Sequence, residues 1–343
     1  MDIDKQKIIQ AGKIASQVKA YARTMVKKGM PLLEIAEKIE AKIFESGGKP
    51  AFPVNLSIDN IAAHYTPSHD DTALAHGLLK VDIGVHIDGW VADTAFSLDL
   101  ENNDENKKLI KSSEEALENA LSLIKSRIEV NEKNKVNDDN KVGSSINSSS
   151  SGRASDFAGA GNVLDKRGRE EGGNDLIGLD EIGKTIQETI EQHGFSPVAN
   201  LSGHSIGHYD LHAGVTIPNT DNKSSLKLKE GLYAIEPFAT TGNGKVHDGK
   251  PSNIYYLLNE KNPRSQIARE VLEFIAKEYK SLPFCSRWIV KKLGSRSLFG
   301  LRDIESNGNL HHFAQLVETQ STKVSQSEQT ILVEKDKITV TTV

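Results

Sequence analysis

Cysteine is nearly absent from this sequence, since Cys285 is the single one among 343 residues. One thiol can form no internal disulfide, and it cannot build a thiolate cage for zinc or for an iron–sulfur cluster. Any metal that this chain holds must therefore be bound by histidine, aspartate and glutamate side chains.

Long hydrophobic runs are also lacking. No apolar run approaches the roughly 18 residues that a membrane span needs. The first ten residues, MDIDKQKIIQ, are charged from the second position and contain no apolar signal region. We therefore expect a cytoplasmic protein that does not contact a membrane.

An excess of charge of one sign is missing as well, because the formal net charge is only −5. Nothing in the overall charge points to nucleic acid or to a membrane surface as a partner. The hydrophobic share of 37% is low for a globular chain of this length. Residues 129–175 explain it, because they are rich in Asn, Ser, Gly, Asp and Lys, and we expect them to form a disordered surface insertion.

Apolar periodicity and turn residues predict a mixed α/β domain interrupted by a helical module. Strand-like segments surround the candidate site residues, and a hairpin of β-branched residues is predicted at 327–343. Helices are predicted at residues 4–27, 31–46, around 114–125 and at 180–193, and over most of 263–316.

The segment LKVDIGVHIDGWVADTAFS, residues 79–97, predicts a β-hairpin, because Asp88-Gly89 favours a two-residue turn. Pairing outward from the turn places Asp82 and Asp93 on one face, with only glycine and alanine opposite them. The other face is predicted to be core. Two converging carboxylates suit an acid/base pair or a metal site, and a solvated hairpin face is the third interpretation.

Further candidate ligands follow later in the chain. Three histidines occur within LSGHSIGHYDLHAG, although any one of them taken alone is more often structural. Glu236 lies within the apolar segment LYAIEPF and needs a cation there, and Glu328 begins another apolar strand. Four carboxylates and one imidazole would suit two divalent ions such as Mn, Fe or Co, with Zn less indicated, and metal-assisted amide hydrolysis is the chemistry that such a pair supports.

Taken in order, these motifs resemble those of the type 2 methionine aminopeptidases in their archaeal form. The resemblance covers nearly the whole chain outside 129–175. It implies the pita-bread fold of the α+β class, with a pseudo-symmetric, curved antiparallel sheet backed by helices. It also implies a catalytic domain of residues 1–246 and 317–343, interrupted by a helical type 2 insertion at 247–316.

The resemblance also assigns the site residues. Asp93 and Glu328 would bridge two metal ions, and Glu236 would also shuttle protons. His64 would lie near the amino terminus of the substrate, and His212 would contact the scissile peptide group. Phe52 would line the methionine pocket, and the full set of implied metal ligands is Asp82, Asp93, His204, Glu236 and Glu328.

The implied activity is removal of the amino-terminal methionine from Met-Xaa segments of nascent polypeptides, with a small second residue preferred. We expect a monomer, and the basic stretch CSRWIVKKLGSRS offers a contact to ribosomal RNA. Eukaryotic relatives place a histidine where this chain has Ile254, which predicts a more apolar pocket. His86 shares the face of the two aspartates but matches no ligand position, so we expect it to lie behind the ligands or to face solvent. His208 is interpreted as structural.

Two other classes remain as alternatives. One is a proline-specific pita-bread peptidase, against which the spacing of GHSIGHYDLHAG and the type 2 insertion argue. The other is a non-catalytic relative that acts as a binding module, whose sign would be the loss of metal ligands. All five ligand positions are kept in this sequence.

Overall fold

The computed structural model of the protein describes residues 3–144 and 177–343, without the side chains of 129–144. No described helix is long and apolar enough to cross a membrane. The helices of this part are α1 Lys5–Met25, α2 Leu32–Glu45, α3 Asp104–Ser144, α4 Leu179–Gln192, α5 Gln266–Glu278, α6 Ser286–Leu293 and α7 Ser297–Ser306.

The strands form antiparallel sheets. In one sheet β4 pairs with β1, β2 and β5, and the others run β14-β10-β6, β12-β11-β13-β3 and β16-β15-β9-β7-β8. The strand bounds are β1 Lys49–Pro50, β2 Asn55–Ile58, β3 Ile61–Ala63, β4 Leu78–Ile87, β5 Trp90–Asp99, β6 Ser196–Pro197, β7 Ser202–Ile206, β8 Thr216–Pro218, β9 Gly231–Ile235, β10 Phe238–Thr240, β11 His247–Leu257, β12 Phe284–Cys285, β13 Leu310–Val317, β14 Val324–Gln326, β15 Gln329–Val333 and β16 Ile338–Val340.

In the first half of the chain, two helices cover the sheet that contains the long β4–β5 hairpin. The apolar stripe of α1 packs on the hairpin face that the alternation predicted as core, and α2 packs beside α1 over β1 and β2. The register of the hairpin is the predicted one, with Ile87 opposite Trp90 and Gly84 opposite Asp93. Asp88 and Gly89 both have positive φ, of 47° and 85°, as a two-residue turn of this type requires.

In the second half, α3 and α4 pack together against the sheet of β9 and β15. The two halves meet where β5 runs beside β15. The amide of Asp93 donates to Thr330 Oγ1 over 2.7 Å, and the amide of Glu328 donates to the carbonyl of Ala95 over 3.1 Å. This seam carries candidate ligands from both halves into one place.

Two predicted segments differ from the structure. Helix α3 was expected around 114–125, but it spans Asp104–Ser144, so 129–144, expected to be disordered, continue a helix. The remainder of that predicted insertion, 145–175, lies outside the described residues. The module at 247–316 contains α5, α6 and α7, but the long strands β11 and β13 pair with each other across it, and its boundaries stay a prediction.

A buried ion pair joins this module to the first half of the chain. Arg287 donates to both carboxylate oxygens of Glu40, over 2.6 and 2.8 Å, and Trp288 donates to the same carboxylate over 2.8 Å. Arg287 and Glu40 are both buried. The pair therefore fixes α6 against α2.

Candidate metal centre

Asp82 and Asp93 point from the β4–β5 hairpin into a buried site. Only 3% of Asp93 is exposed, which excludes the interpretation of a solvated hairpin face. The small residue opposite Asp93 has a steric cause, because a Cβ at Gly84 would lie 2.2 Å from the Phe52 ring. Glycine at this position thus lets Phe52 pack beside the two carboxylates.

Three further candidate ligands converge on this pair. His204 lies on β7, and its Nε2 is 3.8 Å from Asp93 Oδ2 and 3.6 Å from Glu236 Oε1. Ligand atoms of Asp93, His204 and Glu328 lie within 4.8 Å of one another. Glu236 follows the end of β9, and Pro237 precedes the start of β10.

Crowding and burial perturb every carboxylate in this group. Burial raises the pKa of Asp82 to about 7. Burial, together with the neighbouring carboxylates, raises the pKa values of Asp93, Glu236 and Glu328 well above their usual range. Without a cation the cluster would therefore hold protons at neutral pH.

These residues fit a divalent metal. Asp82 Oδ1 and Asp93 Oδ1 are buried and have no hydrogen-bond partner among the described residues, and buried acceptors of this kind require a donor or a cation. Burial and the nearby His212 lower the pKa of His204 to about 3. The His204 imidazole is therefore neutral, which is the form that binds metals.

His64 and His212 flank the carboxylate cluster. His64 Nδ1 lies 3.1 Å from the carbonyl of Ala314, and burial lowers the pKa of His64 to about 4. The His212 ring meets the His204 ring edge-on, with 4.4 Å between the centroids. Burial lowers the pKa of His212 as well. Both predicted histidines thus lie at the site as neutral rings.

A cavity of about 310 Å³ opens onto the cluster. Its lining includes all five implied ligands, together with His64, His212 and Phe52. Ile254 also lines it. The remaining apolar lining residues include Ala63, Leu201, Leu211, Phe238, Pro283, Phe313 and Leu316. The cavity therefore combines an acidic end with apolar walls.

The sequence matches proteins of known activity over its full length. Residues 6–136 match the model of metallopeptidase family M24. The methionine aminopeptidase of Pyrococcus abyssi is 40% identical to this chain over 347 aligned positions, which cover 100% of both proteins. The chain belongs to the methionine aminopeptidases of family M24. The predicted family and its class of activity, a metal-dependent aminopeptidase, are confirmed.

Two solved structures superimpose on this methionine aminopeptidase and support its fold. A methionine aminopeptidase from Thermotoga maritima superimposes with a TM-score of 0.60 at 17% identity, covering 99% of this chain and 98% of that one. A thermophilic Arx1 superimposes with a TM-score of 0.72 at 14% identity, covering 99% and 91%. The predicted pita-bread fold is confirmed, and family membership together with the buried Asp93–His204–Glu328 group indicates divalent metal binding.

Sequence reasoning missed two polar residues at this methionine aminopeptidase site. Gln326 is buried, its Nε2 lies 3.5 Å from Glu236 Oε2, and its amide opposes the rise in the pKa of Asp82 that burial causes. Asn55 lies on β2 directly opposite Asp82. The alternation of SQSEQ could have indicated Gln326, because it lies two residues before Glu328.

His86 and His208 lie outside the cavity lining. His86 is buried, and its Nδ1 accepts a hydrogen bond from the amide of Gly89 over 3.0 Å. His208 Nε2 lies 2.7 Å from the carbonyl of Asp88. The first contact lies within the hairpin turn, and the second joins this turn to the loop that carries His212.

Proposed function

We propose that this protein removes the amino-terminal methionine from nascent polypeptides by dinuclear metal-assisted hydrolysis. The observation that carries the proposal is the convergence of four carboxylates and one imidazole at the end of a cavity with apolar walls. An acidic end suits cations and an amino terminus, and apolar walls suit a methionine side chain.

Asp82, Asp93, His204, Glu236 and Glu328 are the residues that would hold two ions, with Asp93 and Glu328 shared between them. Such ions, when bound, polarise a carbonyl and favour the ionised form of water. The oxygen-rich donor set favours Mn, Fe or Co, and Zn is the alternative.

The remaining chemistry belongs to side chains of this protein. Glu236 would accept a proton from the attacking water at a carboxylate oxygen and deliver it to the nitrogen of the leaving amine. His212, which is neutral, would hydrogen-bond the scissile peptide group. His64 would orient the amino-terminal residue for attack.

Substrate choice follows from the cavity and from the family resemblance. Phe52, Ile254 and the other apolar walls would surround the methionine side chain. The preference for a small second residue rests on the resemblance. Ribosome contact through residues 285–297 is a weaker proposal, because Arg287 of that stretch is buried against Glu40 and Lys291 pairs with Glu37.

Hydrolysis of a matched peptide panel tests this proposal. We expect Met-Ala-Ser to be cleaved with Mn, Co or Fe supplied, Met-Lys-Ser to be cleaved far more slowly, and Leu-Ala-Ser to be a poor substrate. Faster cleavage of Ala-Pro would support a proline-specific peptidase instead. Failure to cleave any peptide with full metal occupancy would support the non-catalytic alternative.

A further inference from the structure

Asn55 places an unused hydrogen-bond acceptor in the cavity. It lies on β2, lines the cavity, and is only 5% exposed. Its Nδ2 donates to the carbonyl of Pro53 over 2.9 Å. Its Oδ1 is buried and has no hydrogen-bond partner within 3–144 and 177–343.

The orientation of this amide follows from its contact with Pro53. Turning the amide over would place Asn55 Oδ1 against the Pro53 carbonyl oxygen, and two acceptors repel each other. The carbonyl end of Asn55 is therefore the one left free. A buried acceptor without a donor is unfavourable, so a ligand that brings a donor to it gains affinity.

The residue next to Asn55 indicates which kind of donor would bind its free oxygen. Asn55 is directly opposite Asp82 in the β2–β4 register, and opposed residues on antiparallel strands share a face with their Cβ atoms about 5 Å apart. Asp82 is one of the implied metal ligands, so the unpaired oxygen of Asn55 lies at the acidic end of the cavity. A donor that carries several N–H bonds, such as an amino terminus, suits an acceptor in this position.

We infer that Asn55 Oδ1 accepts a hydrogen bond from the free α-amino group of the substrate. This inference rests on the proposed function, because the amino group is the feature that every substrate of an aminopeptidase shares. Asn55 thereby becomes a specificity-determining residue. It favours substrates with a free α-amino group over molecules in which this group is blocked or absent. His64 and the implied ligands keep the roles given above.

Binding of two matched ligands tests the inference without turnover. L-Methionine hydroxamate and 4-(methylthio)butanohydroxamate differ only in the α-amino group, and calorimetry on the Mn-loaded protein measures the affinity of each. We expect Asn55→Ala to weaken binding of the amine-bearing ligand about ten-fold, as loss of a hydrogen bond to a charged group does, and to change binding of the other less than two-fold. If Asn55→Ala does not fold, Asn55→Leu replaces it with a side chain of similar volume.

Asn219 supplies a matched control. It is buried, its Nδ2 donates to the carbonyl of Leu201 over 3.0 Å, and its Oδ1 also lacks a partner in the described chain. It does not line the cavity. Asn219→Ala should therefore leave the affinity ratio of the two ligands unchanged.

The other outcomes overturn either the inference or the proposed reaction. If Asn55→Ala weakens the binding of both ligands equally, or of neither ligand, Asn55 does not bind the amino group. A lower Mn content in Asn55→Ala, measured by plasma mass spectrometry, would instead assign Asn55 to metal binding. If wild-type protein distinguishes the two ligands through Asn55 and yet does not cleave Met-Ala-Ser, the proposed reaction fails and the inference stands.

Discussion

His64 occupies a backbone conformation that side chains rarely adopt. Its φ is 65°, in the left-handed region, which costs an L-residue roughly 1–2 kcal/mol. Its ring packs edge-on against Phe313, with 5.0 Å between the ring centroids. Strained residues of this kind are concentrated at active sites, which agrees with the proposed contact between His64 and the substrate.

Two substitutions separate the strain at His64 from its proposed catalytic use. Both His64→Gly and His64→Ala should lower kcat/KM for Met-Ala-Ser by at least about ten-fold, because the proposed orienting ring is lost. Glycine tolerates positive φ, so His64→Gly should be more stable than His64→Ala by about 1 kcal/mol. Urea unfolding of both metal-free variants measures the difference, and equal stability would contradict the strain.

At the scale of elements, the hairpin was predictable residue by residue, and other elements were not. Asp88-Gly89 and strict alternation determine the β4–β5 register locally. The pairing of β11 with β13 joins residues as far apart as His247 and Val317, so no local pattern could indicate it. Helix α3 was underestimated because its last turns lack the apolar spacing that marks a packed helix.

The convergence of the site was only partly predictable for the same reason. The shared face of Asp82 and Asp93 followed from the hairpin alone, but local patterns could not show that Glu328 meets Ala95 across the seam. The ligand set came from the family resemblance. Asn55 was missed because its partner strand, β4, begins 23 residues later in the chain.

The contact between α2 and α6 depends on one buried ion pair, Glu40–Arg287. Glu40→Gln leaves the Arg287 guanidinium buried without its countercharge, so we expect a loss of about 3–5 kcal/mol in the free energy of unfolding. Lys291 and Glu37 join the same two helices through an exposed pair. Glu37→Gln, the matched control, should cost no more than about 1 kcal/mol. Denaturant unfolding compares them, and similar costs would contradict the role given to the buried pair.

At the scale of the whole molecule, we expect the free energy of unfolding of the metal-free protein to decrease as pH rises. In the metal-free fold, burial raises the pKa of Asp82 to about 7 and holds those of Asp93, Glu236 and Glu328 well above their usual range. The same carboxyls ionise near pH 4 in the unfolded chain. Between these values the folded state binds more protons, so its free energy of unfolding decreases with rising pH.

Melting temperatures with EDTA and with Mn, compared at pH 5 and pH 8, measure this effect. Buried histidines such as His86, whose pKa burial lowers to about 4, act in the opposite direction, because they lose stability as pH falls below about 6.5. Taking the difference between the two forms removes the contribution of His86, which lies away from the site. We expect the Mn-induced increase in Tm to be several degrees larger at pH 8, and an equal increase at both pH values would contradict the account of the cluster.

The central claim is that this carboxylate–imidazole cluster performs the hydrolysis, with Glu236 moving the proton. The most direct test compares wild-type protein with Glu236→Gln on Met-Ala-Ser, at equal Mn content per chain as determined by plasma mass spectrometry. General acid–base assistance contributes about 10²- to 10⁴-fold, so kcat should fall by about that factor while KM stays within a few-fold. A Glu236→Gln variant that turns over at a rate close to the wild-type value, with the same Mn content, would contradict the claim.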